Sequence, residues 1–311
     1  MPKAMDVAYV VYQVNNLDVM QTFMSDFGLQ CAERRTDKLY MRGALDAPYV
    51  HVAWLGADNR FVGGGLRMSS RADLDELARM PGSSPVEEIA DAPGGGWRVR
   101  MTTPDGVHID GVWGQEPAPL LPLRPPNPFN AGQSKQRLNL SLRPHREPGL
   151  ALRLGHFVLR VSDHAESVAW FRARFGLLPS DYMCAPSDEG KVIGTFLRCD
   201  RGDRPVDHHS MLIVHAEETG VHHCSFEFQD LDAVMGAHDY LVNKGYRLEC
   251  GVGRHLIGSQ IFDYWRDPFG NRVEHYTDGD CINHLFEPAR YCVSADKTTQ
   301  WGMDPPPEFF D

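Results

Sequence analysis

The chain has 311 residues, 42% hydrophobic and 23% charged, with a mean hydropathy of −0.37 and a formal net charge of −11. This is the composition of a water-soluble globular chain with room for two domains. No apolar run reaches the ~18 residues that a membrane span needs, and the acidity argues against nucleic acid or an anionic membrane surface as partner.

The opening MPKAMDVAYVVYQVNN lacks a basic stretch followed by an apolar one, so a cytoplasmic location is expected. The seven cysteines are scattered and form no CxxC pair, which fits reduced thiols rather than a zinc–thiolate site. Residues 7–29, VAYVVYQVNNLDVMQTFMSDFGL, read as an alternating strand, a polar start signal, an amphipathic helix and a Gly-Leu stop. Residues 103–114, TPDGVHIDGVWG, read as a turn leading into a strand that carries Asp110. The next stretch holds eight of the 22 prolines and has no period, so residues 116–150 are expected to be a linker crossing the surface.

At residue 154 the pattern starts again. LGHFVLRVSDHAESVAWFRARFGL repeats strand, cap, helix and Gly-Leu, with Asp163 and Glu166 at capping spacing and Val168, Phe171 and Phe175 on one face. GVHHCSFEF, residues 220–228, reads as a strand. The helix after it, LDAVMGAHDYLVNKG, is expected to bury Leu231, Val234, Leu241 and Val242. DPFGNRVEHYTDG, residues 267–279, mirrors residues 103–114 with Glu274 in place of Asp110. The segment 286–311 reads as a tail. The expected fold is α+β: two tandem domains, 1–115 and 151–285, each of two βαβββ units forming a curled sheet with helices outside.

Eleven of the fourteen histidines follow residue 150, so any histidine chemistry belongs to the second half. Strand alternation directs His156, His223 and Glu274 to the helix-free face. Two imidazoles and one carboxylate with open positions are the facial triad of non-haem Fe(II) oxygenases. Alternation also points His222 with Cys224 toward the helices, and places His209 on one face with Met211 and Ile213, taken as the cavity side. His208 and His222 are expected to face outward, and His215, His238, His275 and His284 to be surface or sheet residues. The first-half counterparts of the triad are read as Ala8, Gly63 and Asp110, so one live site is expected, in residues 150–285.

The segments LGHFVLRV, DHHSMLIV, GVHHCSFEF, GVGRHLIGSQIFDYW and DPFGNRVEHYTDGD resemble the vicinal oxygen chelate superfamily, and within it the two-domain type I extradiol ring-cleaving dioxygenases. That resemblance implies a tandem vicinal-oxygen-chelate fold with His156, His223 and Glu274 as ligands of Fe(II), Mn(II) being the alternative ion. It implies His209 as acid–base residue, His255 behind the ligands and Tyr264 in the active site. A catecholic substrate and dioxygen would be the partners, and homo-oligomers are common in the family. Competing readings are an α-keto acid dioxygenase, a glyoxalase-like isomerase, or a small-molecule-binding protein without catalysis.

Overall fold

The computed structural model describes the chain apart from residues 144–146, 293, 295–296, 307–308 and 310–311. Among the described residues, two large mixed sheets carry helices on one face. The first sheet runs in the order Gln30–Arg34, Lys38–Arg42, His51–Leu55, Ala4–Val14, Arg60–Met68, His108–Trp113, Trp97–Thr102, Glu87–Glu88. The second runs Ala289–Tyr291, Leu178–Ala185, Asp188–Arg198, Met211–His215, Ala151–Val161, Gly220–Phe228, Arg272–Thr277, Ile261–Arg266, Arg247–His255, Thr299–Gly302. Without its two outermost strands, the second order matches the first strand for strand. Each half is therefore the same pair of βαβββ units, the tandem arrangement expected from the repeat.

The helices form where the sequence marks them. Leu17–Phe27 starts at Asn16, whose side chain accepts from the backbone N–H groups of Asp18 and Val19, and it buries Leu17, Met20, Phe23, Met24 and Phe27. His164–Phe175 starts at Asp163, which accepts from Glu166 N at 2.9 Å, and stops at the left-handed Gly176. Leu231–Lys244 buries Val234, Ala237 and Leu241, while Val242 is 49% exposed. The expected burial of Val242 is thus corrected. It lies about 100° around the helix from Leu241, past the edge of the buried stripe. No helix among the described residues is long and apolar enough to cross a membrane.

The helical faces of both halves share one core. Phe27 stacks on His275 with ring centroids 3.9 Å apart and meets Phe226 edge-on at 5.8 Å. His275, expected as a surface or sheet residue, is fully buried: Nε2 donates to the Phe27 carbonyl at 2.9 Å and Nδ1 lies 2.9 Å from Asp263. Such contacts turn both concave faces outward from the shared core. The proline-rich segment is anchored where Arg124 pairs with Asp230, the cap of the last helix, at 2.5 Å.

The segment after 285 is more than a tail. Ala289–Tyr291 pairs with Leu178–Ala185, Thr299–Gly302 pairs with Arg247–His255, and Phe309 is buried. The exposed edges of a sheet take up such strands readily, and the segment's prolines hide its pairing potential from a sequence reading.

Candidate metal centre

Three neighbouring central strands of the second sheet supply the site. In the Ala151–Val161 strand, Phe157, Leu159 and Val161 enter the helix-side core while His156 and Val158 line the opposite cavity. In Gly220–Phe228, Cys224, Phe226 and Phe228 enter the core and His223 turns to the cavity. In Arg272–Thr277, Val273 goes to the core, and Glu274 is opposite Ser225 in register. One ligand atom from each of His156, His223 and Glu274 lies within 4.8 Å of the other two, and all three residues are buried.

His156 Nε2 is 3.2 Å from His223 Nε2, and Glu274 Oε2 is 3.1 Å from the first and 3.4 Å from the second. Cis ligands each about 2.1 Å from a common ion are about this far apart. Glu274 Oε2 is buried and makes no hydrogen bond. Burial alone would raise this carboxyl group, but the imidazoles of His156, His223 and His255 outweigh it and hold Glu274 well below the usual range. Burial pushes the His223 imidazole down to about 4. An ionised carboxylate facing a neutral imidazole is the protonation state that metal binding requires. The residues therefore fit a divalent ion with two nitrogen donors and one oxygen donor.

The remaining walls carry His209, His255 and Tyr264. Tyr264 is opposite Glu274 in register, and its hydroxyl lies 2.9 Å from His255 Nε2, which is 3.3 Å from Glu274 Oε1. The His255 ring stacks on Phe262 at 3.8 Å. The His209 ring centroid lies 4.2 Å from that of His156. His209 lines the cavity, as expected, but Met211 and Ile213 do not share that face: they enter the helix-side core, and Leu212 and Val214 line the cavity. His209 precedes the strand Met211–His215, so alternation does not govern it.

Two residues that the sequence reading turned outward lie behind the site. His208 is buried; its Nε2 is 2.8 Å from Asp181 Oδ2 and its Nδ1 is 3.1 Å from His209 Nδ1. An ionised Asp181 can only accept, so His208 donates to it and accepts from His209, which leaves His209 Nε2 as a free base. His222 is buried at a register shift between Val221 and His223, so it lines the cavity beside His223 instead of facing the helices. His222 Nδ1 lies 2.6 Å from His223 Nδ1, and its Nε2 lies 2.6 Å from the Phe309 carbonyl. His222 Nε2 also lies 2.6 Å from Arg272 Nη1; an ion on His223 Nε2 would require the His223 Nδ1 proton to point to His222. Its place beside a site residue, His209 or His223, was the only sequence signal for either histidine. His238, half-buried, pairs with Asp263 at 2.8 Å.

The first sheet answers the same register differently. His156 is opposite Ser225 and Ser225 opposite Glu274; Tyr9 is opposite Gly65 and Gly65 opposite Asp110. The counterpart of His156 is therefore Tyr9, not Ala8. The sheet register decides this, and Ala8 is the neighbour of the facing residue. Gly63 takes the place of His223, and the Tyr9 hydroxyl donates to Asp110 Oδ2 at 2.7 Å.

Residues 153–275 match the family described as the Glyoxalase/Bleomycin resistance protein/Dioxygenase superfamily. That match lies within the second half of the chain. Among curated proteins, Metapyrocatechase 2 of Cupriavidus necator is 29% identical over 211 residues, covering 64% of this chain and 62% of that protein. Metapyrocatechase of Pseudomonas sp. (strain CF600) is 24% identical over 189 residues, 60% of this chain and 55% of that one. The chain thus matches less than two thirds of the length of either. An extradiol ring-cleaving dioxygenase from B. fuscum superposes with a TM-score of 0.80 at 16% identity, covering 99% of this chain and 82% of that one. The Mn(II)-bound glyoxalase from Novosphingobium aromaticivorans does so at 0.79 and 22%, covering 99% and 94%. At these identities the superpositions establish a shared fold.

Proposed function

We propose that the chain is an Fe(II)-dependent extradiol dioxygenase, opening a catechol ring beside its hydroxyl pair with dioxygen to give a semialdehyde or keto acid. The observation that carries this reading is the convergence of His156, His223 and Glu274 in a cavity whose other polar walls are His209, His255 and Tyr264. In this reading residues 151–285 form the catalytic unit and 1–115 a non-catalytic one. The metapyrocatechase relatives support it.

His156, His223 and Glu274 would hold the ion, leaving about three octahedral positions for substrate and dioxygen. Bound there, Fe(II) supplies the redox coupling that lets ground-state dioxygen react with a closed-shell ring. The rest falls to side chains. Burial, helped by the neighbouring His156 and His208, holds the His209 imidazole well below its ordinary value, so it is neutral at pH 7. With Nδ1–H committed to His208, its Nε2 accepts a catechol proton and returns it later. Burial pushes the Tyr264 phenol well above its ordinary value, so the hydroxyl keeps its proton and donates a hydrogen bond to a developing oxyanion. His255, in contact with both Tyr264 and Glu274, sets where that hydroxyl points. Val158, Leu212, Phe262 and Phe309 exclude water from the ring. The cavity is only about 70 Å³, which favours a single-ring substrate.

The superposition on a glyoxalase gives a second reading, a metal-dependent isomerase that consumes no oxygen. An oxygen electrode and a visible spectrum separate the two. The Fe(II)-loaded chain, prepared anaerobically and offered a panel of substituted catechols, takes up oxygen and forms a yellow product, fastest on monocyclic members. Silence across the panel with iron bound would favour the isomerase.

A further inference from the structure

The concave face of the first sheet encloses a cavity of about 910 Å³, within the size of sites that hold small molecules, and the reaction above makes no use of it. It occupies the same place in its sheet as the candidate metal cavity does in the other, but a metal is not what it suits. The His223 position is Gly63, where an added Cβ would lie 1.8 Å from the His108 carbonyl oxygen, so the backbone itself excludes a side chain. The Gly63–Gly64 stretch is instead part of the cavity's lining.

Tyrosine rings and guanidinium groups line this floor. The Tyr49 ring centroid lies 5.0 Å from Tyr9 and 5.2 Å from Tyr40. Tyr9 spends its hydroxyl on Asp110 and Tyr40 donates to the Asp91 carbonyl at 3.0 Å, so what these two residues offer a ligand is ring surface. Arg98 and Arg100 stand at the register positions that Phe262 and Tyr264 hold in the second sheet. Arg98 Nε is buried and makes no hydrogen bond; the Glu87 carboxylate is 3.6 Å away. Its charge reaches Tyr9, Tyr49 and Asp110. Burial raises the Asp110 carboxyl group; the hydrogen bond from Tyr9 opposes that shift but occupies Oδ2.

We propose that this cavity is a second, metal-free site for a planar aromatic anion, an arene carboxylate whose ring packs on the tyrosines and whose carboxylate accepts from Arg98 Nε, which has no hydrogen-bond partner and only a long ion-pair contact to Glu87. A guanidinium is the side chain that matches a carboxylate as a planar fork, and stacked rings favour a flat partner. The proposal is independent of the chemistry assigned to the second domain.

Calorimetric titration of the full-length, metal-loaded chain with benzoate tests it. One saturable site is expected, weakened at least about tenfold by Arg98→Met, partly retained by Arg98→Lys, and unchanged by His209→Ala in the other domain. Cyclohexanecarboxylate should bind more weakly and benzylamine not at all. The Arg98→Met chain should cleave catechol at the wild-type rate. Absence of saturable benzoate binding would overturn the proposal. So would binding lost in His209→Ala but kept in Arg98→Met, or tighter binding of benzylamine than of benzoate. Arg98→Lys keeps the cation, so it serves as the check should Arg98→Met fail to fold.

Discussion

The two concave faces are built on one strand order and differ at a few equivalent positions. Where the second presents His156, His223 and Glu274, the first presents Tyr9, Gly63 and Asp110; where the second has Phe262 and Tyr264, the first has Arg98 and Arg100. The fold thus positions a cluster in either half, and the side chains decide what it binds. Two imidazoles and a carboxylate converge on an ion. A tyrosine bonded to an aspartate closes on itself.

The sharpest way to break this comparison is Glu274→Ala. The metal should be lost and ring cleavage should fall to the no-enzyme background, while circular dichroism stays native because only a cavity-facing group is removed. A variant that kept full activity would remove Glu274 from the ligand set. His209→Ala should retain metal and lose turnover by roughly 10²–10⁴-fold; loss of metal instead would make His209 a ligand. On the other face, Gly63→His should add no metal and should destabilise the chain by about 1–3 kcal/mol, since the His108 backbone must move. Urea midpoints and metal analysis check both.

A graded effect comes from acid. Burial pushes His51 down to about 3, whereas the unfolded residue titrates near its ordinary 6.5. Below pH 6.5 the unfolded chain therefore binds a proton that the folded chain refuses. Stability is fully present above that pH and is lost as pH falls toward 3, by up to about 1.4 kcal/mol per pH unit. His223, pushed to about 4, acts in the same direction in the metal-free chain. Urea midpoints against pH should be flatter for His51→Gln. Smallest of all, Tyr9→Phe removes one hydrogen bond to Asp110 and should cost about 1 kcal/mol with ring cleavage unchanged.

The tandem architecture and the His156, His223 and Glu274 cluster were legible because strand alternation is a strict period of two and the repeat shows it twice. Legibility failed where that period breaks. His209 sits before its strand begins, so alternation wrongly grouped Met211 and Ile213 with it, and His222 sits at a register shift, so alternation gave it the wrong face. Ala8 was one residue away from Tyr9 because the counterpart of a residue is decided by its cross-strand partner, which sequence does not display. Asp181 was invisible for a related reason: it reaches His208 across 27 positions, and no local pattern announces that contact. The final segment was taken for a tail because proline masks edge-strand pairing, yet Phe309 ends against Tyr264 with ring centroids 4.9 Å apart.

The central claim is that one face holds a metal and the other does not, and metal stoichiometry tests it most directly. The wild-type chain, loaded with Fe(II) anaerobically and freed of excess, should hold one ion per chain; Asp110→Ala should hold one, and Glu274→Ala none. Two ions in the wild type, or one that survives Glu274→Ala and leaves with Asp110→Ala, would contradict the account.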